Sequence, residues 1–356
     1  MNNSDLDFDA RPAAERLAVL RELARAALPA WGLPADLEPQ LVTERENAVF
    51  RVEADGRGAF ALRVHRSGYH SDAQLRSQVV WARALEADGV VHTAAVLDTN
   101  SGEPFTVVSH PGVPTPRQVT LLEWEPGVPL SELGGGDTAM LHTLGSMMAR
   151  LHQHAVSWIP PDGFDTLRWD SDGLVGDDPE WGRFWEADGL DPSDAEMMRD
   201  FRVVAGERLT EFGTSPERFG LVHGDFLPEN VLVARAADPG EHPDGPDGAD
   251  IAGERITLLD FDDCGQGWFL FDIATALAMP SLRPDFTDLR DAFVDGYRTQ
   301  RPLGDGELEW LDLFLALRGA TYAGWVHSRS QTDFARALGP MIVAAAAVTV
   351  REFLGA

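Results

Sequence analysis

From Gly220 to Asp263 the chain alternates short apolar runs with two polar loops. Gly220-Leu221-Val222 enters His223-Gly224-Asp225-Phe226-Leu227-Pro228-Glu229-Asn230, and Val231-Leu232-Val233 leaves it. After a stretch rich in Asp, Gly and Pro (236–253), Ile256–Leu259 leads into Asp260-Phe261-Asp262-Asp263. Short apolar runs bounded by turn residues read as buried strands. The stretch between the last two reads as a flexible surface insertion. Strand, H-G-D-x4-N, strand, insertion, strand, D-F-D constrains the fold more than any other feature, because it delivers carboxylates and an amide to adjoining strand ends.

Those groups suit phosphoryl transfer, which asks little covalent chemistry of a protein. It needs a base to orient the hydroxyl and take its proton, and metal ions to neutralise charge on the phosphates. Asp225 suits the base role. Asn230 supplies a neutral oxygen ligand for Mg2+, and Asp260 is a carboxylate able to bridge metal to the β- and γ-phosphates. Taken singly, an Asp after Gly or an Asn before a strand is an ordinary turn residue. The order of the whole set carries the signal.

Upstream, Leu17, Leu20, Ala24 and Ala27 recur at helical spacing. Alternating runs broken by Asp55-Gly56 and Gly58 predict a hairpin with strands near Val49–Glu53 and Phe60–Val64. Ser71-Asp72-Ala73-Gln74 is a capping-box start for a helix to about Ala87. Further strands are expected near Thr93–Leu97, Phe105–Val108 and Val119–Trp124. Glu125-Pro126-Gly127 then breaks the chain, and helical patterns dominate, as in Thr138–His154 and Ala195–Phe212. The expectation is an α+β fold of two lobes: a β-rich N-lobe over 1–125 and a mainly helical C-lobe over 126–356, with the natural cleft at their joint.

Composition narrows the partners. The formal charge of −29 argues against nucleic acid and anionic lipid. Two readings of that charge stand: a solvated acidic surface, or an acidic cleft that attracts a cationic substrate. Every basic residue among the 29 is arginine. One cysteine, Cys264, excludes an internal disulfide and favours a reducing cytoplasm; it reads as a small buried residue. The N-terminus lacks the layout of a signal peptide. The most apolar stretch, Met341–Val350, falls short of the roughly 20 residues of a membrane helix and reads as a buried C-terminal helix. His65, Arg66 and His70 read as surface residues at a strand end, and the tryptophans at 158, 169, 181 and 185 mostly as core. His152 and His154, two apart on one helix, face different sides and do not share a metal.

With these residues in view, the chain resembles the aminoglycoside phosphotransferase and choline kinase superfamily, of protein-kinase-like fold, over about Val42 to Tyr297. ENAVFRV, ALRVHRSGYHS, ARLHQHA and LRWD are similar to the branch of type II homoserine kinases and RdoA/SrkA-like stress kinases. The resemblance implies Asp225 as base, Asn230 and Asp260 as Mg2+ ligands, and ATP or GTP as co-substrate. It implies that His223 and Asp272 support the catalytic loop structurally. It aligns Leu122-Glu123-Trp124-Glu125 with the interlobe hinge that holds the adenine edge, and Glu46-Asn47 with the phosphate-covering loop, although no glycine-rich motif stands there. The region of the four tryptophans is where the superfamily builds part of its acceptor site.

Two positions depart from the superfamily. Arg63 stands where a strand lysine reaches the α- and β-phosphates, and Gln78 where a helix supplies its glutamate partner. Three functions are therefore in play: a kinase for a small, amine-bearing alcohol; a serine/threonine protein kinase of the stress-response type; and a nucleotide-binding pseudokinase. No A-P-E signature follows Asp260, which disfavours the second.

Overall fold

The computed structural model describes residues 8, 11–45, 47–235 and 254–355. Glu46 and the insertion read at 236–253 lie outside the described residues. In chain order come α1 (Ala13–Ala27), β1 (Gln40–Glu44), β2 (Ala48–Ala54), β3 (Gly58–Val64), α2 (Asp72–Ala87), β4 (His92–Thr93), β5 (Thr106–Val108), β6 (Arg117–Glu123) and β7 (Val128–Pro129). Then follow α3 (Thr138–Ser157), β8 (Leu167–Trp169), α4 (Ser171–Val175), α5 (Pro192–Phe212), β9 (Phe219–Val222), β10 (Val231–Arg235), β11 (Glu254–Leu258) and β12 (Gly265–Trp268). The described chain closes with α6 (Phe269–Ala278), α7 (Phe286–Arg298), α8 (Asp305–Leu308), α9 (Leu311–Ser328) and α10 (Asp333–Leu354). The class is α+β. The contacts fall into two compact units: one of residues up to Val79 with Ala94–Glu125 and Gln331–Phe334, the other of Val80–Thr93, Pro126–Ser330 and Ala335 onward.

The first unit is built on an antiparallel sheet in the order β1-β2-β3-β6-β5. Alternation sets its core: Phe50 and Val52 of β2 and Leu62 and Val64 of β3 are buried, and they join Leu23, Ala24 and Ala27 of α1 in one apolar cluster. Burying each large side chain stabilises by about 1.5–3 kcal/mol. The same alternation turns Arg63 to the other face of β3, where it is only half-buried. The capping box forms as the sequence predicts. Gln74 N donates to Ser71 Oγ at 3.1 Å, and Ser71 N donates to Gln74 Oε1 at 2.9 Å.

In the second unit β10 pairs antiparallel with β11 and β7, while β4 joins β11 in parallel. A smaller sheet runs β8-β12-β9. Helix α3 starts where Asp137 accepts from Met140 N at 3.0 Å. It lies close against α7, and two glycines permit this. A Cβ at Gly145 would sit 2.0 Å from Phe293 O, and one at Gly296 would sit 1.8 Å from His142 O. That contact fixes the distance between His152 on α3 and Tyr297 on α7.

Two expectations are corrected. His65 and His70 are buried rather than superficial, and His65 Nε2 lies 3.0 Å from Thr120 Oγ1. Position 65 directly follows the buried Val64, so the apparent strand end is still sheet interior. The C-terminal helix is longer than its apolar stretch suggested and buries one face only: Val343, Ala346 and Val350 are inside, whereas Met341 and Val348 are exposed. By length and composition it is the one helix among the described residues that could cross a membrane.

Candidate active site

The ladder between β10 and β11 brings the two loops together. Val231 is opposite Leu258, and one step beyond, Leu259 N donates to Asn230 O at 2.8 Å. Asn230 and Asp260 are thereby near neighbours across the ladder, although thirty positions apart in the chain. The D-F-D loop is locked to the H-G-D loop by His223, whose Nε2 donates to Leu259 O at 3.0 Å. Its other nitrogen, Nδ1, accepts from Asp225 N at 3.3 Å. Burial holds the His223 ring below its ordinary pKa, which keeps it neutral and suits this donor-acceptor split.

Gly224 is required by space and by backbone. Its φ is +79°, and a Cβ would stand 2.2 Å from Asp263 O and 3.1 Å from Trp169 Nε1. Asp272, wholly buried on α6, gathers the turn: Oδ1 accepts from Gly224 N at 2.9 Å and Oδ2 from His223 N at 3.0 Å. Oδ2 also accepts from His152 Nε2 at 3.1 Å. Burial alone would raise the Asp272 pKa, but the bonds from His152 and His223 outweigh it and hold the carboxylate ionised.

Behind Asp272 stands a chain of buried polar groups. Tyr297 Oη donates to His152 Nδ1 at 2.8 Å, and Arg301 Nη1 donates to Tyr297 Oη at 3.0 Å. Arg301 Nη2 donates in turn to Glu217 O at 2.6 Å, and the guanidinium lies 4.5 Å over the Phe269 ring. Burial lowers the pKa of His152 and raises that of Tyr297. His152 therefore does not pair with His154, which is 3.1 Å from Asp88 and stacks on Trp158.

Asp225 is held from two sides. Asn230 Nδ2 donates to its Oδ2 at 2.9 Å, and Arg318 Nη2 on α9 donates to its Oδ1 at 3.0 Å. Burial pushes the Asp225 pKa up, Arg318 pulls it back, and the like charges of Asp260 and Glu229 raise it again, to about 6. The side chain keeps 22% exposure, so the carboxylate is reachable. With Nδ2 committed to Asp225, Asn230 turns its amide oxygen, the better cation ligand, away from it. Asp260 has φ 65°, a strained value for a non-glycine residue that sets where its carboxylate points. An amide oxygen and a carboxylate fit a hard divalent cation whose other positions are filled by phosphate oxygens and water. Among the described residues no three His, Cys, Asp or Glu side chains form a metal-holding group.

The remaining expected residues divide by location. Asp225, Asn230, Asp260, His223 and Asp272 meet within the second unit. Arg63, Gln78, Asn47, Glu123, Trp124 and Glu125 belong to the first. Gln78 is buried on α2. Asn47 is also buried, and its Oδ1 accepts from Arg66 N at 3.1 Å, tying the β1–β2 turn to the end of β3. Glu123 N donates to Ala95 O at 2.9 Å and Trp124 N to Ala59 O at 3.2 Å, so those two amides are already bonded within the first unit. Trp169, Trp181 and Trp185 are buried, while Trp158 is half-buried.

Sequence reasoning missed Arg318, Tyr297 and Arg301. Arg318 left one legible trace: a lone arginine within the apolar run Leu313–Ala323, where a charge is buried only if paired.

Residues 39–311 match the phosphotransferase enzyme family. The chain is 28% identical to the microcompartment-associated aminopropanol kinase, whose structure superposes with a TM-score of 0.80 over 93% of this chain and 97% of that one. An amicoumacin kinase in complex with AMP-PNP and Ca2+ shares the fold at 19% identity and a TM-score of 0.71, over 98% of this chain and 96% of that one. An uncharacterised protein of Deinococcus radiodurans is 26% identical over 342 residues, 94% of this chain and 90% of that protein.

Proposed function

This chain belongs to the phosphotransferase enzyme family, and on that premise we propose that it moves the γ-phosphate of ATP onto a hydroxyl of a small, amine-bearing alcohol. The observation that carries this reading is the Asp225 carboxylate, oriented by Asn230 and Arg318 beside Asp260. The small-molecule class is supported by the likeness to an aminopropanol kinase at 28% identity. A net charge of −29 also favours an acceptor that carries an amine.

In this mechanism Asp225 accepts a hydrogen bond from the acceptor hydroxyl and turns its oxygen toward the γ-phosphorus. The new O–P bond forms as the bond to the β–γ bridging oxygen breaks, and the hydroxyl proton passes to Asp225. Its two donors prevent the carboxylate from rotating, so orientation entropy is lost on folding rather than in the reaction. Asn230 Oδ1 and Asp260 would hold Mg2+, which when bound neutralises charge on the phosphates. Arg63 would meet the nucleotide phosphates from β3 with a planar fork instead of an ammonium.

The test is phosphotransfer from ATP with Mg2+ to a panel of amino alcohols, hydroxy acids and a generic protein substrate, with product masses recorded. A gain of one phosphate on an amino alcohol is expected. Phosphate appearing on protein alone, or ATP binding without any transfer, refutes the reading.

A further inference from the structure

Arg318 has no role in the mechanism above beyond steadying Asp225, yet its surroundings are built to fix it. It is 2% exposed, and its guanidinium lies 4.6 Å over Trp181 and 5.3 Å over Tyr322. Ser328, one helix segment on, donates to Trp181 O at 3.0 Å and ties α9 to the tryptophan's backbone. Nη2 donates to Asp225 Oδ1, but Nη1 is buried and has no hydrogen-bond partner. An unmatched donor on a buried cation is costly, so its persistence beside Asp225 points to a partner that arrives with the substrate.

We propose, building on the kinase reading above, that Nη1 of Arg318 receives a second oxygen of the acceptor, carried on the carbon next to the hydroxyl that is phosphorylated. Three physical points select that partner. A guanidinium bond to the reacting oxygen itself would withdraw electron density from the nucleophile and oppose attack. The two terminal nitrogens of a guanidinium present parallel donors, so a partner for Nη1 lies side by side with Asp225 Oδ1, where the reacting hydroxyl must donate. Asp260, Glu229 and Asp225 make the surroundings acidic, so a neutral hydroxyl oxygen fits Nη1 with less repulsion than a carboxylate. The acceptor class is therefore a vicinal diol bearing an amine, in preference to a simple amino alcohol. Arg318 thereby becomes a specificity-determining residue as well as a positioning one.

The experiment compares 3-amino-1,2-propanediol with 1-amino-2-propanol, which differ by one oxygen, in the wild type, Arg318→Lys and Arg318→Gln. Wild type is expected to favour the diol at least ten-fold in kcat/KM, mostly through KM. Arg318→Lys keeps a cation beside Asp225 but lacks the paired nitrogens. It should retain measurable kcat on both compounds and lose the preference, a split that a merely structural role would not produce. Thermal unfolding separates this from misfolding, and if Arg318→Gln fails to fold, the lysine variant still decides. Equal kcat/KM for the two compounds in the wild type overturns the inference and leaves the kinase reading standing. An undiminished diol preference in Arg318→Lys also overturns it. Phosphorylation of neither compound, with another amino alcohol of the panel phosphorylated, overturns the inference alone, and no transfer to any member of the panel overturns both.

Discussion

Replacing Asp272 by Asn tests the support of the catalytic loop at its centre. The native carboxylate accepts from Gly224 N, His223 N and His152 Nε2 at 2.9, 3.0 and 3.1 Å. An asparagine of the same shape keeps two bonds at best, with its oxygen in the place of Oδ2, and turns its N–H groups toward Gly224 N, so one bond is lost and the other two lose their charged acceptor. At about 1.5–3 kcal/mol for the lost bond to a charged group, with the other two weakened, the loss is roughly 2–4 kcal/mol. Against a total stability on the order of 5–15 kcal/mol, that is a large fraction. Urea unfolding at pH 7.5, followed by tryptophan fluorescence, should show the loss; Trp169 stacks on Phe271, next to Asp272, and reports on this region. kcat should fall as well, because Gly224 sets the turn that presents Asp225. A change below about 1 kcal/mol with kcat intact would refute the argument.

Acidification provides a second test. Burial depresses the pKa of His152, so below about 6.5 the unfolded chain binds a proton that the folded chain refuses, and stability falls as pH falls. The stability advantage of wild type over His152→Gln should shrink by about 1.4 kcal/mol per pH unit in that range, and an advantage that grows on acidification contradicts the buried neutral imidazole. Asp225→Asn should lower kcat by about 10²–10⁴-fold with nucleotide affinity nearly unchanged, and retention of half the wild-type kcat removes it from the mechanism. Asn230→Ala and Asp260→Ala should each raise the Mg2+ concentration needed for turnover, whereas wild-type titrations in both would exclude them as ligands. Arg63→Ala should weaken triphosphate binding by about 1.5–3 kcal/mol, read as Kd by calorimetry; an unchanged Kd places phosphate binding elsewhere.

The parts legible in the sequence were those set by local pattern. Period-two alternation gave the β2–β3 hairpin and the face of β3 that carries Arg63, and Ser71 with Gln74 marked the start of α2. The polar loops at strand ends named Asp225, Asn230 and Asp260 as candidates, because carboxylates and an amide gather there in turn positions. A strand end reads less clearly: His65 lies one residue past β3, and only the packed sheet shows that it is buried. For α10, composition marked the apolar stretch, but which face found neighbours depended on the rest of the second unit.

What tertiary structure alone decided is the company that Asp225 and Asp272 keep. Arg318 is 93 positions from Asp225, and His152 and Tyr297 are 145 positions apart. No periodicity or spacing links such residues, because their meeting depends on how helices pack. The approach of α3 and α7 at Gly145 and Gly296 sets the His152–Tyr297 bond, and the anchoring of α9 at Trp181 sets Arg318 beside Asp225. A buried charge must find its partner in space. Sequence could show that Arg318 sits in an apolar helix, and only the folded chain shows that the partner is the Asp225 carboxylate, with one donor left over.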